Sequence, residues 1–341
     1  MNQKVVTFGE LMLRLTTPGY QRFVQANSFD INFAGAEANV AASLAAYGLD
    51  AYFVTKVPKH EIGQMLVNHC RRYGIHTDYI LRGGDRLGVL FLETGASQRP
   101  SKVIYDRANS AISQVKPGEF DWEKIFDGAS WFHFTGITPA LGDGPAAVTL
   151  EAARTAKEMG LKVSADLNYR KKLWSPEKAN KVMTELMQYV DVAFGNEEDA
   201  EKVFGIKASG SDVTTGELNE EGYKEVAREL ASRFGLEMVA FTLRESLSAS
   251  DNNWSALLYD TKEFYRSKIY KMHIVDRVGG GDSFAGGLIY SLLSGKSPKD
   301  ALEFAVAASC LKHSIPGDFN LVSVAEVEQL AGGDASGRVQ R

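Results

Sequence analysis

Along most of the chain, short β-branched apolar runs alternate with stretches in which apolar residues recur every three to four positions. The runs Val5–Phe8, Ala51–Val57, Trp131–Phe134, Lys162–Asp166, Val190–Phe194 and Met238–Thr242 read as strands, and residues 36–47, 61–73, 145–159, 177–188, 219–234, 283–294 and 298–313 read as helices. This alternation predicts an α/β fold with a mainly parallel sheet covered by helices on both faces, because crossover connections carry helices over each side. In such a sheet ligands gather beyond the carboxyl ends of the strands.

Two segments break the rhythm. Residues 11–34 and 86–107 contain Leu11-Met12-Leu13-Arg14-Leu15 and Val89-Leu90-Phe91-Leu92, apolar stretches bounded by turns instead of leading into helices. They predict a small antiparallel sheet inserted at two places into an α/β body of residues 1–10, 35–85 and 108–330. Such a sheet is placed to cover a cleft as a lid and to pair with a second copy, giving a homo-oligomer. The polar, Gly-rich residues 208–220 predict a mobile surface insertion, and residues 331–341 a disordered tail too poor in apolar side chains to fold.

Composition narrows the class. With 341 residues, 44% of them hydrophobic, the chain can build a sizeable core. Its net charge of −5 offers no basic footprint, which argues against a nucleic-acid partner and requires a local basic pocket for any small anionic substrate. Cys70 and Cys310 stand far apart in helical apolar patterns, which favours buried thiols over a disulfide or zinc site. The chain enters a strand almost at once, and no apolar run approaches the roughly 18 residues of a spanning helix, so no membrane partner and a cytoplasmic location are expected.

The chemistry concentrates in Asp276-Arg277-Val278-Gly279-Gly280-Gly281-Asp282, where three glycines and a carboxylate stand at the start of a long apolar helix. Consecutive glycines turn backbone N–H groups toward a ligand, and the helix adds unpaired donors and the positive end of its dipole, which together form a phosphate site. Asp282 is then within reach of whatever attacks a bound phosphoryl group. From this run alone, a helix cap behind a connecting turn explains the residues equally well.

Four stretches in order, Ala34-Gly35-Ala36-Glu37-Ala38-Asn39-Val40-Ala41, Asp166-Leu167-Asn168-Tyr169-Arg170, Asn196-Glu197-Glu198-Asp199 and the glycine run, resemble the ribokinase-like (PfkB) carbohydrate kinases over residues 1 to about 330. Glu37 and the segment 166–176 resemble, within that family, the branch that phosphorylates 2-keto-3-deoxygluconate. The resemblance implies a ribokinase-like fold with a β lid, and ATP and Mg²⁺ as partners of a sugar acid whose 6-hydroxyl is phosphorylated. It makes Asp282 the base and the amides of Gly279, Gly280 and Gly281 the anion hole. It gives Gly35, Asn39, Tyr105, Arg107, Arg170 and Asp318 to the substrate, with the guanidinium groups suited to a carboxylate.

The same resemblance gives Asn168, Arg170, Asn196, Thr242, Arg244, Gly279 and Gly281 to the nucleotide. Asn196 and Asp199 would hold Mg²⁺ through water, Asp199 standing where the family has Glu. Thr242–Ser246 falls where the family usually has a Gly-containing loop. In some members the acid at position 276 helps hold a monovalent cation, but here Arg277-Val278 replaces Thr-Thr, and Asp276 is expected to pair with Arg277. A fructokinase or ribokinase specificity is the alternative within the fold. A dinucleotide-dependent oxidoreductase is disfavoured, because the glycine run lacks the G-x-G-x-x-G spacing and lies late in the chain.

Overall fold

The computed structural model describes residues 3–207 and 220–334. A nine-stranded sheet runs in the spatial order Asp50–Val54, Lys4–Phe8, Ala129–Thr135, Lys162–Asp166, Val192–Gly195, Met238–Ser246, Asp251–Tyr259 and Phe264–Arg266, with Tyr270–His273 also on Asp251–Tyr259. The first six strands pair in parallel and the remaining pairings are antiparallel.

The side-chain period of two sorts each parallel strand between two cores. Val6, Phe8, Phe132, Phe134, Val239 and Phe241 point to one face, where the helices Asp143–Glu158, Pro176–Leu186, Glu197–Phe204 and Glu220–Phe234 cover them. Val5, Trp131, Met238 and Ala240 point to the other, beneath Ala36–Ala46, Glu61–Arg72, Gly280–Leu293 and Pro298–Lys312. A sheet buried on both faces is what near-continuous apolar strands require, and it leaves the carboxyl edge as the place for ligands.

A second, four-stranded sheet orders Asp30–Ala34, Met12–Thr16, Val89–Glu93 and Lys102–Asp106. It consists of two antiparallel hairpins joined by a parallel pair, Leu13 to Thr16 against Val89 to Leu92, so the small sheet is mixed where a purely antiparallel one was expected. Met12, Ala34 and Leu90 line its inner face.

Several boundaries moved. The strand expected over 51–57 divides into Asp50–Val54 and a two-residue strand Lys56–Val57. The strand expected to end at Thr242 continues to Ser246, because Thr242 to Ser246 pair with Ala256 to Asn252 in a hairpin; these residues are a strand and not a loop. The helix expected from 283 starts at Gly280, and a helix at Val324–Ala331, held by a Ser323/Glu326 capping box, occupies the boundary where a tail was expected to begin. The insertion expected over 208–220 lies, for residues 208–219, outside the described residues, as do residues 335–341.

Candidate active site

A cavity of about 620 Å³ opens at the carboxyl edge of the large sheet and under the small one. Two helices present N-termini there without a side-chain cap, Ala36–Ala46 behind Gly35 and Gly280–Leu293 behind Gly279. Both helix ends bring first-turn N–H groups and the positive end of a dipole to the cavity, which is the electrostatic requirement of an anion site; the Gly280 N–H also makes a long bond of 3.4 Å to the Arg277 carbonyl. Gly279 adopts φ +84, and a Cβ there would lie 2.2 Å from the Asp318 carbonyl oxygen, so only glycine makes this turn. At Gly35 the backbone is extended, and glycine is required because Glu10 O would stand 2.1 Å from a Cβ.

Asp282 occupies the first turn of the Gly280–Leu293 helix and accepts a hydrogen bond from Asn39 Nδ2 at 2.7 Å. Burial pushes its carboxyl up to about 6, opposed by the Asn39 bond and reinforced by Asp318. The oxygen of the Asn39 carboxamide is buried without a protein partner, leaving an acceptor for a ligand hydroxyl. A base held near neutrality beside an uncapped helix end can take a proton and stabilise the developing anion.

Asp318 is buried and Arg14 Nη1 donates to its Oδ1 at 2.5 Å, while Arg14 Nη2 donates to Asp276 Oδ2 at 2.7 Å. Asp276 thus pairs with Arg14, and Arg277 instead donates to the Ala249 carbonyl at 2.9 Å. The correction has a physical cause: Arg14 sits on an inward-facing position of its strand, where a guanidinium must find carboxylates. Burial first, with Asp276 adding to it and Arg14 opposing, pushes Asp318 up to about 6, and its Oδ2 remains without a partner.

Across the cavity, Asp166 ends its strand and Asn168 follows at φ +36, its N–H donating to Asp166 Oδ1 at 3.1 Å. Asn196 caps the helix Glu197–Phe204 by accepting from Asp199 N at 2.8 Å, and Asp199 Oδ1 accepts from Tyr169 N at 3.0 Å. Burial, then Asp199 and Asp282, push Asp166 up to about 8, with Arg170 opposing. Asp166, Asp199 and Asp282 thus act on one another across this side of the cavity, with Arg170 as the cation that answers them. Among the described residues no three His, Cys, Asp or Glu side chains converge as direct metal ligands; Asn196 and Asp199 both line the cavity on this side. Arg170 is exposed at the rim, donating to the Tyr169 carbonyl at 3.1 Å.

Tyr105 and Arg107 both line the cavity, the guanidinium 5.5 Å from the Tyr105 ring, and Asp106 turns away to Arg86. Arg107 is not a free cation: Glu10, buried at the end of the first strand, accepts from its Nε at 2.8 Å and from its Nη2. Glu10 Oε1 also accepts from Ser110 Oγ at 2.6 Å. Glu37 faces inward, its Oε1 accepting from Thr135 N, Thr135 Oγ1 and Thr138 Oγ1, and burial pushes it up to about 7. Thr242 and Arg244 share one face of their strand at the cavity wall, beside Arg277.

Sequence reasoning missed Glu10, which lines the cavity, and Arg14, which pairs with the cavity residue Asp318 from behind, and left Asp166 without a role. Arg14 left a signal, a lone charge within an apolar alternation; Glu10, beside Gly9 in the short connection between two strands, left none.

A sequence model described as pfkB family carbohydrate kinase matches residues 2–321. The 2-dehydro-3-deoxygalactonokinase of Haloferax volcanii is 34% identical over 337 residues, 98% of this chain and 99% of its own length. The 2-dehydro-3-deoxygluconokinase of Bacillus subtilis is 29% identical over 328 residues, 94% of this chain and 92% of its own. The solved structure of a 2-dehydro-3-deoxygluconokinase from Thermotoga maritima superposes with a TM-score of 0.94 at 55% identity, covering 97% of this chain and 100% of that one.

Proposed function

Because this chain belongs to the pfkB family of carbohydrate kinases, we propose that it transfers the γ-phosphoryl group of ATP to the 6-hydroxyl of 2-keto-3-deoxygluconate, giving 2-keto-3-deoxy-6-phosphogluconate. The observation that carries the reading is Asp282, a carboxylate lifted to about 6, held by Asn39 at the uncapped helix end behind Gly279. Asp282 takes the proton of the 6-hydroxyl as its oxygen attacks the γ-phosphorus and the bond to ADP breaks. The amides of Gly280 and Gly281, with that of Gly279 at the turn, receive the equatorial charge.

Asn196 and Asp199 would hold Mg²⁺ through its waters, and the ion would supply positive charge to offset that of the phosphates. Arg170, Asn168, Thr242 and Arg244 line the nucleotide side. Gly35, Asn39, Tyr105, Arg107 and Asp318 line the sugar side, where Arg170 also reaches a carboxylate. The small sheet, residues 11–34 and 86–107, acts as the lid and as the surface on which a second copy docks. Among the described residues no helix is long and apolar enough to cross a membrane, which supports a cytoplasmic enzyme.

A substrate panel in one coupled ADP-release assay tests the assignment. We expect 2-keto-3-deoxygluconate to exceed fructose and ribose in kcat/KM by about a hundredfold or more, the discrimination a paired carboxylate reader provides. Equal or better turnover of fructose or ribose would overturn it. The galacto epimer belongs in the panel because the Haloferax volcanii relative is named for it.

A further inference from the structure

Lys312 is the last residue of the helix Pro298–Lys312, and its side chain is 0% exposed. Its Nζ donates to two backbone carbonyls, Asp276 O at 3.3 Å and Ile315 O at 3.2 Å. These carbonyls belong to the two loops that bracket the glycine turn: the first leads from Asp276 into Gly279, and the second carries Asp318, whose carbonyl presses on Gly279. The Lys312 Cε also stands 3.4 Å from where a Cβ on Gly279 would lie, so the stem of the side chain packs beneath that turn.

A univalent positive charge enclosed by backbone carbonyl oxygens and faced by carboxylates is the environment that a bound alkali ion requires. Burying an ammonium costs several kcal/mol unless charges answer it. Burial lowers the Lys312 pKa, Asp276, Asp318 and Asp282 raise it, and Arg14 opposes them, so two fixed cations stand among three carboxylates. A dissolved ion would have to share the carbonyl of Asp276 with the ammonium already there, and the residues therefore do not fit an exchangeable monovalent cation.

We propose that Lys312 is a positioning residue that serves as a built-in monovalent cation, tying the Asp276 and Ile315 loops together under the anion-binding turn and making the enzyme independent of dissolved potassium. Its charge holds the turn that aims the Gly280 and Gly281 amides and places Asp282. The inference rests on the phosphoryl-transfer reading of that turn, and one of its tests does not.

Wild-type turnover is to be compared in potassium, sodium and tetramethylammonium chloride at equal ionic strength, with thermal unfolding of the sugar-free protein in the same salts. We expect kcat and the unfolding midpoint to be the same in all three. Stimulation by potassium of about threefold or more, or a midpoint that rises specifically with potassium, would overturn the proposal.

Lys312→Met keeps the stem and removes the charge. It is expected to lower kcat about tenfold with KM values changed less, and to gain a potassium- or ammonium-dependent recovery of both kcat and unfolding midpoint. A folded variant with wild-type kcat and no response to these ions would also overturn it. Should the variant not fold, the wild-type comparison decides alone. The thermal shift requires no turnover, so it separates failure of this inference from failure of the substrate assignment.

Discussion

Asn39 Nδ2 lies 2.7 Å from Asp282 Oδ2, so the helix after the first glycine motif steers the carboxylate at the start of the second, 243 residues later. Their bond favours the ionised carboxylate, while burial and Asp318 disfavour it. Asn39→Ala removes the stabilising partner and moves the Asp282 pKa further above about 6. The acid limb of the kcat/KM profile should therefore shift to higher pH, with the variant losing most activity near pH 6 and least near pH 8. A limb unmoved in the variant would mean that Asp282 is not the group whose ionisation limits turnover.

The same balance predicts a conflict between stability and activity at Asp282. Its folded-state pKa is raised from 3.8 to about 6, so its neutral form is the one folding favours. That contribution is present below the unfolded value and is lost as pH rises through about 6; at pH 7.5 the ionised group therefore destabilises the fold. Asp282→Asn should raise the unfolding free energy by about 1 kcal/mol, allowing for partial exposure, and lower kcat by about 10²–10⁴ while ATP affinity changes only a few-fold. Denaturant melts at pH 7.5 and pH 4, with kinetics at pH 7.5, check both; the gain in stability should shrink at the lower pH.

The parts of this arrangement that the sequence discloses are those written in local pattern. Near-continuous apolar runs mark the six parallel strands, and the glycines at 279–281 mark the turn, because both depend on residues adjacent in the chain. The helix Val324–Ala331 was not read from the sequence, although its Ser323-x-x-Glu326 box is a local signal of the same kind. Pairings are another matter. That Asp276 answers Arg14, that Glu10 answers Arg107, and that Glu37 turns inward to Thr135 and Thr138 each depend on elements 90 or more positions apart, and nothing local distinguishes these charges from solvated ones. The hairpin that extends the strand from Met238 to Ser246 was hidden for a related reason: Arg244, Glu245 and Ser246 are polar and exposed, so the pattern of a buried strand is absent there.

Arg107 shows what such a pairing changes. With Glu10 buried against it, the guanidinium helps hold the lid strand to the first strand of the body as well as facing the cavity. Arg107→Ala leaves Glu10 buried without its cation, which should cost about 3–5 kcal/mol, less whatever water recovers at the cavity wall. It should also raise KM for 2-keto-3-deoxygluconate about tenfold or more and KM for fructose much less, since only the acid presents a carboxylate. Thermal melts and the two KM values check these separately; equal KM effects on both sugars would assign Arg107 to holding the lid alone.

The outer face of the lid makes the last prediction. Register places Leu13, Leu15, Ile31, Phe91 and Ile104 on one side of the small sheet, opposite Met12, Ala34 and Leu90, which face the cavity. Ile31 is 63% exposed and Ile104 is 53% exposed, with Phe29 packed edge-on against Phe91 at 5.8 Å. An apolar sheet face flanked by open edges at Asp30–Ala34 and Lys102–Asp106 is a surface that a second copy can cover. We expect a dimer by analytical ultracentrifugation at micromolar concentration. Replacing Ile31 and Ile104 together by Glu places two charges on each copy's face and forfeits roughly 1.5–3 kcal/mol of burial per side chain, which should weaken association at least a hundredfold. Because Tyr105 and Arg107 belong to the same lid hairpin, the monomeric variant should also show a raised sugar KM. A wild-type protein that sediments as a monomer throughout this range would overturn the assignment of this face to a second copy.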